Sequence, residues 1–583
     1  MRSRNVEFSL TGATLVLLGL LLVTFVAFLG LTLFNTKGEP REAIVAVSML
    51  NQGNWILPVS CGADIPYKPP MLAWMIAALG WLNGSHVTVF LARLPSALAA
   101  IVMIVCLFRF YARRGSMAVA MVGALLTATA FEVHRAATSC RVDMVLTAFI
   151  VMAILSLYRH YESDKAWWRL PLTAILLMSG GVLTKGPVGM LLPCGSLLVW
   201  LLLTGRRFWP SALQLTLYGV LALILPAMWY AAAYGMGGQE FYDLAMEENF
   251  GRFFGKMSYG SHEHTFLYNF LTLLWGWAPW TLLALGALFS WRRLFPSRAD
   301  GAAHRFADRA RGFWNRLRAL PPAELLAVAA AVVIFVFYCI PKSKRSVYLL
   351  PMYPFMAIGF AMLIRHLSAV SLRTVRVFGF FMAGVGILAC LAACAAMMGL
   401  IPEGTGKAAV YIAEARGLGI GSLLVTVAVL VWLAGSMRSL ARGDAAATVQ
   451  WTVLDTLMVY WVFMAAIQPV ALNPKSDRAV GEYISENVPA ETPVYGFMTI
   501  KDLRYFTAGF YSGDRITGID PDSRPAMLAQ SGYVLAGEAD TDSLRKFMPE
   551  GTLLSIEQRW DKKSCDNKQK TQLFRYFIPV QKP

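Results

Sequence analysis

The sequence predicts a mainly α-helical, polytopic membrane protein with a small C-terminal α/β domain. Three observations carry that reading. Of 583 residues, 57% are hydrophobic and 15% charged, so a water-soluble fold of this size has too little polar surface to cover its core. Apolar runs of about 20 residues, the length that crosses a bilayer, recur along the chain. From about Leu472 onward the composition becomes that of a soluble domain.

About thirteen apolar runs can be read, at roughly 11–34, 87–110, 115–132, 143–160, 168–185, 187–204, 211–234, 265–290, 323–340, 346–365, 376–399, 418–436 and 453–470. The piece from Pro69 to Leu82 is apolar but short and carries Trp74 and Trp81, which suits the membrane interface. With MRSRN on the cytoplasmic side, alternate connections should be basic. They contain Arg109, Arg113 and Arg114; Arg159, Lys165 and Arg169; Arg206 and Arg207; and an arginine-rich loop between Trp291 and Pro322. This is the positive-inside pattern, and it puts the C-terminus outside. The division expected is 1–470 as the transmembrane domain, with an outer loop 35–86 of amphipathic interface helices, and 471–583 as an external α/β domain. In the latter, DRAVGEYISENV reads as a helix and TPVYGFM, GYVLAG, TLLSIEQ and LFRYFIPV as strands.

The net charge of +17 does not point to nucleic acid, because the cations form short clusters between apolar runs. No P-loop is present, which argues against a nucleotide-driven pump. The eight cysteines show no C-x-x-C pair, so a zinc ribbon is not expected; a Cys61–Cys140 disulfide stays open. The first apolar run is too long for a cleavable signal peptide.

Under this topology the unusual polar residues gather on the outer side. Glu39, Arg41, Glu42, Asp64 and Lys68 lie in the first outer loop; His134, Arg135, Arg141 and Asp143 in the second. Lys185 ends the fifth run, His262, Glu263 and His264 precede the eighth, and Lys342, Lys344 and Arg345 follow the ninth. Singly, each has a plain reading: Glu39 and Pro40 start a helix, Asp143 is a first-turn acid, and an H-x-H pair in a loop is usually solvated. Together they ask for a reason, since outer loops disfavour cations, and a phosphate-bearing ligand supplies one. A sugar carried on a polyprenyl phosphate fits: cations stabilise the departing phosphate, and a carboxylate takes a proton from, or orients, the acceptor.

GEPRE, ML-x-x-G-NWILP, YKPP, RVD at Asp143, LTKG at Lys185, H-x-x-x-F-x-Y from His262 and K-S-K-R-x-x-YLLP ending at Pro351 occur in one order. This ordered set resembles the lipid A aminoarabinose transferases, which group with the polyprenyl- and dolichyl-phosphate-mannose protein mannosyltransferases in the GT-C class of membrane glycosyltransferases. The resemblance implies the GT-C fold and inverting transfer of an aminoarabinose-like sugar or a hexose from undecaprenyl phosphate. The acceptor would be lipid A, an envelope glycan or a protein, on the periplasmic face of a bacterial inner membrane. Membrane lipids are the other partners, and nucleic acid is not one.

The family's Asp-Glu-x-Arg is here Gly38, Glu39, Pro40 and Arg41. The leading aspartate is absent, so Glu39 is the candidate catalytic acid, with Asp143 at the second aspartate position. The family's Glu-Lys-Pro is Tyr67, Lys68 and Pro69. Lys68 is the expected phosphate ligand, joined by Arg41, Lys185, Lys342, Lys344, Arg345 and Tyr348. His262 matches a metal-binding histidine, which leaves a divalent ion (Zn, Mg or Mn) open with one fewer ligand. Two alternatives stand beside this reading: a flippase or transporter of lipid-linked sugars, and a non-catalytic paralogue that binds polyprenyl phosphate.

Overall fold

The computed structural model describes residues 9–62, 64–66, 68–163, 169–251, 263–290, 306–500, 503–522 and 530–578. Among the described residues, eight helices are long and apolar enough to cross a membrane, and up to ten spans result if two bent pairs each count as one. The chain is therefore a multi-pass membrane protein. It divides into two compact units, one of Met1–Phe28, Ser96–Leu400 and Leu418–Ala466, the other of Leu29–Pro95, Ile401–Gly417 and Ile467–Pro583.

The first unit is a helix bundle whose helices start and stop where local chemistry requires. Asp444 begins the Ala445–Val462 helix by accepting from the Ala447 N–H at 2.8 Å. Several expected spans are shorter or broken. The first run forms a helix only over Leu10–Phe25. The fifth and sixth are compact helices, Leu172–Lys185 and Val188–Leu203. The run at 115–132 breaks at Ala130, whose extended backbone bends Met117–Thr129 against Phe131–Ala137 by 68°. The run at 265–290 bends by 106° between Leu267–Gly276 and Trp280–Leu288, with Pro279 at the break.

Small residues set the closest helix approaches here. A Cβ added at Gly189 would lie 2.3 Å from the Gly181 carbonyl carbon, and one at Gly123 would lie 2.6 Å from Ile358. Fully buried Trp280 donates its indole N–H to the Thr129 hydroxyl at 3.0 Å, so the bend is tied to its neighbour through a satisfied polar group.

The second unit is built around a five-stranded sheet in the order β2-β1-β3-β5-β4. The strands are β1 (Val494–Phe497), β2 (Ile516–Ile519), β3 (Gly532–Gly537), β4 (Leu553–Lys563) and β5 (Lys570–Phe577). β1 pairs in parallel with β2 and β3, and β5 runs antiparallel to β3 and β4. Both faces are apolar. Val480, Ile484 and Ala508, from helices Arg478–Asn487 and Phe506–Tyr511, cover one face, and Leu544 of Thr541–Phe547 covers the other. The short strand β2 and the two short helices carry too little periodicity to be read from sequence, and the structure adds them. The amphipathic helix Pro40–Gln52 and the apolar helix Met71–Leu82 also belong to this unit. Cys61 is a buried free thiol here, so the disulfide to Cys140 is not formed.

Two carboxyls, buried Asp566 and half-buried Asp514, titrate unusually. Burial, with the Asp477 carboxylate beside it, pushes Asp566 up to about 7 although the Thr507 N–H and hydroxyl both donate to it. Burial pushes Asp514 up to about 6, against donors from Ser48 and the Cys61 N–H. An unfolded aspartate titrates near about 3.9. Between that value and the folded ones the folded chain binds the extra protons.

Two predictions follow from packing and titration. Gly189→Ala lowers stability in detergent by about 1–3 kcal/mol through overpacking, whereas Gly19→Ala, with open space around its Cβ, is neutral or slightly stabilising; thermal melts decide it. The melting temperature of the full chain rises as pH falls from 8 toward 5, and the Asp566→Asn variant gives a flatter profile.

Candidate active site

Two groups of paired charges stand out, one in each unit. In the second unit, Pro40 occupies the first turn of the Pro40–Gln52 helix, where its missing N–H costs nothing and its fixed φ suits the start. Glu39 precedes it and is 8% exposed. Its carboxylate does not cap the helix but turns to Arg93, which is 3% exposed. The Arg93 Nε and Nη2 donate to the two Glu39 oxygens at 2.8 and 2.9 Å. Arg93 Nη1 donates to the carbonyls of Leu29 and Thr32 at 2.9 and 2.5 Å, and the guanidinium lies over the Phe34 ring. The acid expected to be catalytic is thus held in a buried two-point fork.

Glu42, three residues on and so on the same side of the helix, meets the Lys68 ammonium in a short ion pair. The Arg41 guanidinium lies 3.7 Å from the same oxygen. Pro69 and Pro70 follow Lys68 and keep that segment out of helix until Met71.

In the first unit, Asp143 lies in the first turn of the Val142–Glu162 helix and is 7% exposed. Lys185 lies in the last turn of Leu172–Lys185. Each charge sits at the helix end whose dipole favours it. Packed together, the two helices bring Lys185 Nζ to 2.5 Å from Asp143 Oδ1. The same ammonium lies 4.6 Å from the centre of the Tyr348 ring, which stacks on Tyr338. Gly186, at φ 81°, ends the lysine's helix, and a Cβ there would overlap the Asn249 side chain.

Other expected site residues do different things. Lys344 is buried and donates to the carbonyls of His264 and Pro341, so its ammonium closes a turn. Lys342 is exposed, and its carbonyl accepts from the His264 N–H at 3.3 Å. Arg345 precedes the short 3-10 helix Ser346–Met352 that carries Tyr348. His134 is packed against the rings of Phe25 and Tyr460, and Arg135 pairs with Glu132 at 2.6 Å. His262 and Tyr67 lie outside the described residues. A tyrosine stands where the resemblance puts a glutamate ligand, which leaves the expected site for a divalent ion one donor short, and no step below runs through a metal. Sequence reading missed Arg93 altogether and gave Glu42 no part in the site. The signal was present in VFLARLPSALAA, where a lone arginine interrupts an apolar run.

The architecture is that of the GT-C class. The crystal structure of ArnT from Cupriavidus metallidurans bound to undecaprenyl phosphate aligns with a TM-score of 0.69 at 20% identity, over 97% of this chain and 98% of that one. Residues 67–230 match the family described as dolichyl-phosphate-mannose-protein mannosyltransferase. Over 354 residues the chain is 25% identical to the undecaprenyl phosphate-alpha-4-amino-4-deoxy-L-arabinose arabinosyl transferase of Edwardsiella ictaluri (strain 93-146), covering 60% of this chain and 59% of that one. Over 338 residues it is 26% identical to an uncharacterized protein of Aquifex aeolicus (strain VF5), covering 56% and 59%. The chain thus spans 59% of the length of each of these two relatives. YKPP, RVD and LTKG lie within the residues that match the mannosyltransferase family, and the resemblance to aminoarabinose transferases agrees with the Edwardsiella relative.

Arg93→Ala removes one side of a buried charge pair and destabilises the chain by about 3–5 kcal/mol, and Arg93→Met with Glu39→Gln recovers most of that loss; unfolding curves in detergent measure both.

Proposed function

We propose that this chain is an inverting membrane glycosyltransferase that moves a sugar from undecaprenyl phosphate to lipid A or another envelope acceptor. It works at the periplasmic face of a bacterial inner membrane. The observation that carries the reading is Lys185, held at a helix end between the Asp143 carboxylate and the face of Tyr348. The fold shared with an undecaprenyl-phosphate-bound structure and the sequence similarity to an arabinosyl transferase support it.

In the reaction, the bond between the anomeric carbon and the phosphate oxygen breaks, and the electron pair leaves with the phosphate. The acceptor oxygen forms its bond to the same carbon from the opposite face. Negative charge grows on the departing phosphate, and a carboxylate-paired ammonium, that of Lys185 or that of Lys68, is a donor suited to stabilise it. A hydroxyl acceptor gives its proton to a carboxylate, for which Asp143 is suited; a phosphate acceptor is already anionic and needs only positioning. Glu39, forked by Arg93, fixes the start of the helix that carries Arg41 and Glu42 and acts as a positioning acid.

With purified chain, undecaprenyl-phosphate-linked aminoarabinose and lipid A, mass spectrometry should detect lipid A carrying one added amino-pentose. Asp143→Asn is expected to lower transfer by about 10²–10⁴-fold while donor binding is retained. Normal turnover in that variant, or no sugar transfer by the unaltered chain, overturns the reading.

A further inference from the structure

The loop that carries Lys68 is anchored to the C-terminal sheet, and the anchor is made of residues that no motif marks. A tight turn at Ser60–Asp64 closes with two backbone hydrogen bonds of 2.9 and 2.8 Å between those residues. Cys61 and Gly62 inside it have positive φ, 50° and 81°. The Gly518 N–H donates to the Cys61 carbonyl at 2.8 Å, which fastens the turn to strand β2. A Cβ at Gly62 would lie 2.4 Å from the Thr517 side chain, so the turn fits that strand only with glycine.

Charge completes the anchor. Arg504, 8% exposed, reaches over Gly518 with no room for a Cβ beneath it. Its Nη2 lies 3.1 Å from Asp64 Oδ1, and its Nη1 lies 3.8 Å from Asp520 Oδ2 at the end of β2. Asp514 makes the second fastening. Its Oδ2 accepts from the Ser48 hydroxyl at 2.6 Å, and its Oδ1 accepts from the Cys61 N–H at 2.9 Å. Ser48 sits on the helix that bears Glu42, and Asp64 stands four residues before Lys68. The two partners of the Glu42–Lys68 pair are thus each tied to the sheet by a separate charged group, buried Arg504 and half-buried Asp514. Ile44, Cys61 and Phe506 fill the space between them with an apolar cluster.

The structure assigns Arg504 and Asp514 as positioning residues for phosphate binding, acting from the C-terminal sheet through the Glu42–Lys68 pair. This rests on the proposed reading of Lys68 as a phosphate ligand. Charged partners suit the task because a buried guanidinium between two carboxylates has one geometry, whereas an apolar contact tolerates sliding. Without the anchor, the Lys68 ammonium loses its fixed place, and binding falls with no contact between Arg504 and ligand.

A double-mutant cycle on the full chain, with undecaprenyl phosphate as the probe, tests this assignment. Lys68→Ala weakens binding. Arg504→Ala, and the milder Asp64→Asn on the half-exposed side of the same pair, each weaken it on the order of tenfold, and Arg504→Lys recovers part. In the Lys68→Ala background neither variant weakens binding further, because the group they position is gone. Additive losses in the double variants, or normal binding in both Arg504→Ala and Asp64→Asn while Lys68→Ala is impaired, overturn the assignment and leave Lys68 as the phosphate ligand. Normal binding in Lys68→Ala instead overturns the reading of Lys68, and the assignment of Arg504 and Asp514 falls with it.

Discussion

An ionised side chain beside hydrocarbon keeps its charge only where a counter-charge or several hydrogen-bond partners face it. Arg93 meets that condition and in doing so organises the region around it. Its guanidinium spends donors on Glu39, on the Leu29 carbonyl and on the Thr32 carbonyl. One side chain therefore ties the segment after the first helix to the start of the Pro40–Gln52 helix. The direction of that helix decides where Arg41 and Glu42 point, so the Glu42–Lys68 pair depends on a residue that is itself nearly inaccessible.

The same condition sorts the cations by the partners they take. Lys344 has its ammonium on two backbone carbonyls, and Arg135 is paired one turn away with a buried Glu132. Asp455, inside the helix bundle, accepts from Trp432 and Ser436 and so satisfies its carboxylate locally. Lys185 and Lys68 differ in kind: each is paired with a carboxylate and presented at a helix end or beside prolines. A carboxylate partner holds an ammonium ready and can exchange it for phosphate oxygen, whereas a backbone turn built on a lysine is lost if the lysine moves.

The second unit is assembled from three stretches far apart in sequence, Leu29–Pro95, Ile401–Gly417 and Ile467–Pro583. Asn473 shows how they are joined. It accepts from the Leu33 N–H and donates to the Leu31 carbonyl and the Glu414 carboxylate, so one amide bridges all three. A domain that reads as an appendage to the membrane region is, in contacts, continuous with the first outer loop. That continuity gives Arg504 and Asp514 their meaning.

By itself the sequence determined the membrane class, the approximate apolar runs, the strands β1, β3, β4 and β5, and the ordered motifs around Asp143, Lys185 and Lys68. These are legible because hydrocarbon thickness, pleat alternation and charge bias act on contiguous residues. The bends at Ala130 and Pro279, the short strand β2 and the partners of Glu39 were decided only by tertiary structure. So was the commitment of Lys344 to backbone carbonyls. A pairing such as Glu39 with Arg93 joins residues with no local pattern in common, and its free energy exists only once packing has removed water from both. GEPRE announces an acid at the head of a helix; the fold decides that Glu39 is spent on Arg93 and that Glu42 faces the lysine.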